Sequence, residues 1–83
     1  MPVFFDVHKV PFGEAQLKEL CTLPADEFGV THVNLFYNKE AGVCFCLLEG
    51  PDVAAIEKHH EKVNIKCELI TEVSLARPFV PLA

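Results

Sequence analysis

Residues 43–52, VCFCLLEGPD, contain the transition on which the fold depends. The run from 43 to 49 is rich in apolar and branched side chains, which is typical of a β-strand. Gly50-Pro51 then ends the strand and opens a helix, because the missing N–H of proline costs nothing in a first helical turn. The stretch therefore predicts a strand that leads directly into a helix.

The flanking sequence divides into four further elements. Residues 3–8 (VFFDVH), 30–37 (VTHVNLFY) and 67–73 (CELITEV) are rich in strand-forming residues and predict strands. Residues 14–22 place their apolar side chains at helical spacing and predict a helix before Pro24. The element order is therefore β-α-β-β-α-β.

This order is typical of a ferredoxin-like fold, which is an α+β domain. We expect a four-stranded antiparallel sheet in the order 4-1-3-2, with two helices on one face. Residues 1–83 are expected to form this single domain, with its core at 3–73 and an extended tail at 74–83. Phe79, Val80 and Leu82 make the tail apolar, so we expect residues 76–83 to dock on a partner subunit.

The composition limits the possible partners. The chain has 83 residues, 51% of them hydrophobic, and a net charge of −5. Seven basic residues scattered among twelve acidic ones argue against nucleic-acid binding. No apolar run approaches the roughly 20 residues that span a bilayer, and the N-terminus does not resemble a signal peptide. We expect a cytoplasmic protein whose four cysteines are thiols, and a homodimer, because so short a chain has a marginal core.

Alternation along the strands predicts two different faces of the sheet. The first set of side chains is almost wholly apolar and is expected under the helices: Val3, Phe5, Val7, Val33, Leu35, Tyr37, Val43, Phe45, Leu47, Leu69, Thr71 and Val73. The second set mixes apolar residues with carboxylates, imidazoles, thiols and an amide, and is expected on the open face: Phe4, Asp6, His8, His32, Asn34, Phe36, Cys44, Cys46, Leu48, Glu68, Ile70 and Glu72.

The predicted strand order brings several members of the second set together. Adjacent strands lie about 4.8 Å apart, so side chains on neighbouring strands can converge on one ion. The expected clusters are His8–Cys44–Glu68 and Asp6–Cys46–Asn34, with His32 as a further candidate ligand on the same face.

Two interpretations of this open face are compatible with each other. Imidazole, thiolate and carboxylate groups are ligands for late first-row metals, which would also neutralise buried carboxylates. The alternative is a dimer interface that is polar in places, because its large apolar side chains would form an interaction patch. His60 is assigned to the helix side of the sheet, opposite this face, as a packed histidine bonded to a backbone or carboxylate group.

The sequence contains no motif that indicates an enzyme. It has no glycine-rich phosphate loop and no G-x-S-x-G sequence. Cys44 and His8 could in principle form a nucleophile–base pair, but cysteines on a sheet face usually pack. We therefore expect no catalytic residues.

Three runs of sequence resemble a known family. FFDVH, AGVCFCLLEGPD and EKHHEKVNIKCELITEV resemble the small nickel-binding proteins typified in Streptomyces, formerly a domain of unknown function. The resemblance spans residues 3–73. Its most specific parts are Asp6-Val7-His8, Phe45-Cys46-Leu47, Glu49-Gly50-Pro51 and His60-Glu61.

The resemblance implies a ferredoxin-like homodimer whose two sheets face each other. It also implies a divalent transition metal, nickel in the first place, with zinc and copper as alternatives. Asp6, His8 and Cys46 match the family motifs and are the ligands that it implies. Cys44 and His32 do not match them, so their candidacy rests on the sheet geometry alone.

The leading hypothesis is therefore a cytoplasmic homodimer that binds a transition metal for sequestration, delivery or sensing. One alternative is a dimeric α/β-barrel enzyme or small-molecule-binding protein, with its pocket between the two facing sheets. The other is a structural interaction module without a ligand.

Overall fold

The computed structural model describes residues 2–9 and 12–77. Its elements are β1 (Val3–His8), α1 (Glu14–Leu20), β2 (Thr31–Asn38), β3 (Val43–Glu49), α2 (Val53–Glu61) and β4 (Leu69–Val73). The predicted element order is confirmed, although α1 and β4 are each two residues shorter than predicted. Within the described residues, neither helix is long and apolar enough to cross a membrane.

The four strands form one antiparallel sheet in the order β2-β3-β1-β4. Read from the other edge, these are the same neighbours as in the predicted order, so β1 and β3 are central. Their register pairs Asp6 with Cys46 and His8 with Cys44, as the sequence predicts. The class of the fold is therefore α+β, with an antiparallel sheet and two helices.

The residues on both sides of Pro51 determine where α2 begins and how closely it packs on β3. Asp52 is the N-cap, and its side chain accepts a hydrogen bond from the backbone N–H of Ala55 at 2.9 Å. A Cβ atom on Gly50 would lie 3.0 Å from Cδ1 of Ile56, so glycine permits the close approach of α2 to the end of β3. The helix ends before Asn64, which takes the predicted left-handed conformation at φ 56°.

The predicted assignment of the two sheet faces is wrong. Phe4, Asp6, Cys46 and Leu48, which were expected on the open face, are buried under both helices. They pack in one cluster with Leu17 of α1 and with Ala55 and Ile56 of α2. Strand alternation separates the two sets but does not determine which of two largely apolar faces receives the helices.

A β-bulge at Val33 accounts for a second correction. His32 pairs with Leu48, but Asn34 then pairs with Leu47, so the alternation of β2 shifts by one residue. Leu35, rather than Asn34, consequently lies beside Cys46 on the helix-covered face. The predicted Asp6–Cys46–Asn34 cluster therefore lacks its amide.

The other face of the sheet carries no helix within the described residues. Its central strands present the stacked rings of Phe5 and Phe45, whose centroids lie 5.9 Å apart. Phe36 on one edge strand and Leu69 on the other are each about half exposed. The open face is thus the apolar one, and most of the predicted docking segment, 78–83, lies outside the described residues.

Candidate metal centre

Ligand-type side chains from β1, β3 and α2 meet in the interior between the sheet and the helices. They form two adjacent groups, in each of which the ligand atoms lie within 4.8 Å of one another: His8, Cys44 and Cys46, and Asp6, His60 and Cys67. All of these residues are buried except Cys67, which is half-buried. The pairing of β1 with β3 places the first group, while α2 and the segment before β4 complete the second.

The first group centres on Cys46. Its Sγ lies 3.2 Å from Nε2 of His8 and 3.9 Å from Sγ of Cys44. The other ring nitrogen of His8, Nδ1, is buried without a hydrogen-bond partner among the described residues. An imidazole and two thiols in contact are a ligand set that suits soft and borderline transition metals.

The second group centres on Asp6, which has no exposed surface. Neither carboxylate oxygen has a hydrogen-bond partner within residues 2–9 and 12–77. Burial raises the pKa of Asp6, although the nearby imidazole of His60 opposes this. A buried carboxylate without a compensating group costs several kcal/mol, so the site requires a proton or a cation.

His60 faces that carboxylate with its acceptor nitrogen. Its Nδ1–H donates to the backbone carbonyl of Ile56 at 2.8 Å, which leaves Nε2 with the lone pair in the neutral ring. This Nε2 lies 3.3 Å from Oδ2 of Asp6. Two acceptors face each other, and either a shared proton or a metal ion satisfies both.

The spacing of these atoms fits a metal ion. Bonds of 2.0–2.3 Å from one ion place neighbouring ligand atoms about 3.0–3.8 Å apart. The Asp6–His60, His8–Cys46 and Asp6–His8 contacts measure 3.3, 3.2 and 3.8 Å. The bond from His60 to Ile56 is also the kind of outer contact that fixes the tautomer of a metal-binding histidine.

The protonation of the group determines how a metal would enter it. Burial raises the pKa of Cys46 far above its usual range, and the charge on Asp6 adds to this. Burial likewise raises the pKa of Cys44 and lowers that of His8, although Asp6 partly opposes the shift at His8. The thiols therefore carry protons in the metal-free protein, and a metal must displace at least one of them.

A cavity of about 340 Å³ leads to this centre. Its walls are mainly apolar, but His8, Cys46 and His60 also line it. Two more imidazoles, His32 and His59, lie on its wall with ring centroids 5.0 Å apart. Burial, with His59 and His60 nearby, lowers the pKa of His32 to about 4, so that its ring is neutral at physiological pH.

Asp26 fixes the position of the outer imidazole. Its carboxylate accepts hydrogen bonds from His59 Nδ1, Lys62 Nζ and the backbone N–H groups of Phe28 and Val30. Burial alone would raise the pKa of Asp26, but these donors hold it well below its usual range. Asp26 is therefore a permanently charged acceptor at the cavity wall.

The structure brings together four of the six candidate ligands from the sequence: Asp6, His8, Cys44 and Cys46. Glu68 is not among them, because its side chain is 57% exposed and its Oε2 lies 3.9 Å from Nζ of Lys9. His32 lies in the cavity but outside both groups.

The sequence did not indicate two residues of the candidate centre as ligands. His60 was expected on the helix side of the sheet as a packed histidine bonded to a backbone or carboxylate group, and it lies there, but Asp6 was expected on the other face. Cys67 was treated as one of the unassigned thiols. If Asp6 had been placed on the helix-covered face, its buried carboxylate would have required a cationic or metal-bound partner. His60 of α2, 3.3 Å away, is the residue that meets this requirement.

Comparison with known proteins leaves one informative match. No curated protein and no solved structure is similar enough to the chain to match it. A family model described as "Nickel responsive protein SCO4226-like" matches residues 4–73, most of the chain and both ligand groups. The resemblance to the small nickel-binding proteins is thereby confirmed, and the chain belongs to the SCO4226-like nickel responsive family.

Proposed function

We propose that this chain binds a divalent transition metal, nickel in the first place, for sequestration, delivery or sensing. The ligands are Asp6, His8, Cys46 and His60, in the interior between the sheet and α2. Zinc and copper remain alternatives, because imidazole and thiolate also suit them. The family description supports nickel. The free thiols suit a reducing compartment, so we place the protein in the cytoplasm.

The observation that carries the proposal is the environment of Asp6. Its carboxylate is fully buried, and both oxygens lack hydrogen-bond partners among the described residues. Nε2 of His60 and Nε2 of His8 lie 3.3 and 3.8 Å from its oxygens. A bound cation would satisfy all three groups at once and would remove the cost of burying the charge.

Metal analysis of the untagged protein tests this proposal. After exposure to nickel and removal of the excess, the parent protein is expected to retain the metal in stoichiometric amount. Asp6→Ala, His8→Ala, Cys46→Ser and His60→Gln are expected to lose most of it. Glu68→Gln is the matched control, because Glu68 shares the sequence pattern but is exposed.

The proposal fails if the parent retains no nickel, or if the four site variants retain as much as Glu68→Gln does. Circular dichroism of every variant separates loss of a ligand from loss of the fold. A variant that is folded and does not bind nickel supports the assignment of that ligand.

We also propose a ferredoxin-like homodimer, formed through the open apolar face rather than through the ligand-bearing one. Phe5 and Phe45 stack in the middle of this face, with Phe36 and Leu69 exposed at its edges. A continuous apolar surface of this kind usually marks an interaction site. The metal groups of each subunit then lie behind the sheet, away from the interface.

Sedimentation equilibrium tests the dimer. The parent is expected to be a dimer, and Phe36→Asp and Leu69→Asp are expected to be monomeric, because each substitution would bury a charge in an apolar interface. Glu57→Gln, an exposed change on α2, is the control. A monomeric parent protein, or dimerisation unaffected by both variants, contradicts the proposal.

The cavity supports a second candidate function, the binding of a small organic molecule. Its apolar walls and the imidazoles that it contains are typical of ligand pockets. This pocket lies between the sheet and the helices, whereas the sequence-based alternative expected it between two facing sheets. Native mass spectrometry that finds an organic adduct and no metal would favour this candidate.

A further inference from the structure

Four imidazoles lie in succession from the buried groups to the cavity wall. The ring centroids of His8 and His60 are 5.8 Å apart, those of His60 and His59 5.2 Å, and those of His59 and His32 5.0 Å. The adjacent residues His59 and His60 point in different directions because successive residues on a helix are about 100° apart. His60 faces Asp6, whereas His59 faces Asp26 and His32.

The outer pair, His59 and His32, has the features of a prepared metal site. Nδ1–H of His59 donates to the carboxylate of Asp26, so in the neutral ring it is Nε2 that carries the free lone pair. This carboxylate–histidine contact is the outer contact that orients and strengthens histidine ligands in metal proteins. Asp26 is itself held by two backbone N–H groups, so it is fixed before any metal arrives.

The distance between the two rings fits one shared ion. With metal–nitrogen bonds of 2.0–2.1 Å and an N–metal–N angle near 100°, two imidazole centroids lie about 5 Å apart. The measured separation is 5.0 Å. Both residues line the same cavity, so an ion between them is reachable from outside.

The charges around this pair favour a cation. Asp26 and Glu27 supply two carboxylates, and the Lys62 ammonium that opposes them is bound to both, at 2.9 and 2.6 Å. These two carboxylates and one ammonium leave a net negative charge beside the pair. Only two protein ligands are present, so water completes the coordination sphere and the ion exchanges readily.

The geometry points to a second metal site at His32 and His59, positioned by Asp26, which takes up a divalent transition metal before it reaches the buried centre. The inference rests on the proposed function for the identity of the cation. Transfer inward exchanges imidazole and water ligands for Asp6, His60, His8 and Cys46. As the metal–sulfur bond forms, the Cys46 proton leaves to solvent.

A nickel titration of the full-length, untagged protein tests this site, followed by both calorimetry and near-ultraviolet absorption. Of the two sites, only the buried centre includes a cysteine, so only its occupancy produces a sulfur-to-nickel charge-transfer band. The parent protein is expected to bind two equivalents, a tighter one that produces the band and a weaker one that does not. His32→Gln and His59→Gln are expected to lose the weaker equivalent and to keep the full band, which then grows more slowly in stopped-flow mixing.

Asp26→Asn is the positioning variant, expected to weaken the outer equivalent about 10–100-fold, as outer-contact substitutions usually do. Lys58→Gln, an exposed change on the same helix, is the control. The inference is overturned if the parent binds a single equivalent of nickel, or if both histidine variants keep the second equivalent unchanged. It is also overturned if those variants lose the charge-transfer band. Absence of both equivalents and of the band in the parent would refute the proposed function instead.

Discussion

Replacement of Asp6 by asparagine is expected to stabilise the metal-free protein and to weaken its response to nickel. Asparagine has the same shape but no charge, and its NH₂ group can donate to Nε2 of His60, which now faces a carboxylate oxygen at 3.3 Å. The parent buries that carboxylate completely and without hydrogen bonds among the described residues. An unsatisfied buried polar group costs about 1–3 kcal/mol, so a gain of that size is expected at a pH at which Asp6 is ionised.

The gain should depend on pH in a definite direction. Burial raises the pKa of Asp6 above its usual 3.8, so the folded protein binds a proton that the unfolded chain releases. The unfolding free energy of the parent therefore falls as pH rises from about 4 through the raised pKa, and stays low above it. Asp6→Asn lacks this loss, so its advantage should be small at pH 4 and should grow as the pH rises through the raised pKa of Asp6.

Nickel should stabilise the parent more than it stabilises Asp6→Asn. At a concentration about 1,000 times its dissociation constant, a ligand adds about 4 kcal/mol to the unfolding free energy. If loss of the carboxylate weakens binding about 100-fold, the same nickel concentration adds only about 1.4 kcal/mol. The two proteins then differ by about 2.7 kcal/mol in their response to the metal.

Urea unfolding with and without nickel, at several pH values, measures all three quantities. Asp52→Asn is the matched control, because Asp52 is exposed and asparagine caps a helix equally well. A metal-free Asp6→Asn protein that is less stable than the parent at neutral pH, with an unchanged nickel response, would refute the reasoning. That result would indicate a proton shared between Asp6 and His60 instead of a metal site.

Three further predictions concern other residues. His32 has a pKa of about 4 in the folded protein against a usual 6.5, so the unfolding free energy should rise as the pH rises between these values. Unfolding free energies measured across this pH range should rise less steeply for His32→Gln. Nickel affinity should fall about tenfold for each pH unit below neutral per proton displaced, and calorimetry of the parent should count at least one proton released per nickel bound at the buried centre. Asn64→Ala should cost about 1–2 kcal/mol in urea unfolding, because alanine is disfavoured at a φ of 56°, whereas Asn64→Gly should be close to neutral.

Much of the fold could be predicted because local signals and topology agree. Gly42 and Asn64 both take the left-handed conformations expected of turn residues. The pairs Asp6–Cys46 and His8–Cys44 follow from the antiparallel neighbours β1 and β3 and need no side-chain information. The predicted bounds of both strands, 3–8 and 43–49, match the observed ones, so aligning the end of one strand with the start of the other yields the observed register.

The composition of the site was harder to predict because it depends on long-range packing. The bulge at Val33 moves Leu35 into the place expected for Asn34, and nothing in the local sequence distinguishes a bulged strand from a regular one. Glu68 precedes β4 and turns outward toward Lys9. His60 lies 54 residues from Asp6 in the sequence, and the two meet only because α2 packs on the side of the sheet that bears Asp6.

The sequence by itself determined the order of the elements, the pairing of the central strands and, except beyond the bulge in β2, the two sets of alternating side chains. These depend on short-range periodicity and turn chemistry, which each segment carries independently of the rest of the chain. Only the tertiary structure decided which set lies under the helices. Both sets are largely apolar, so packing against α2 made the choice, with Ile56 approaching Gly50 and His60 meeting Asp6. That choice places the proposed metal ligands inside the domain and leaves the open apolar face uncovered within the described residues.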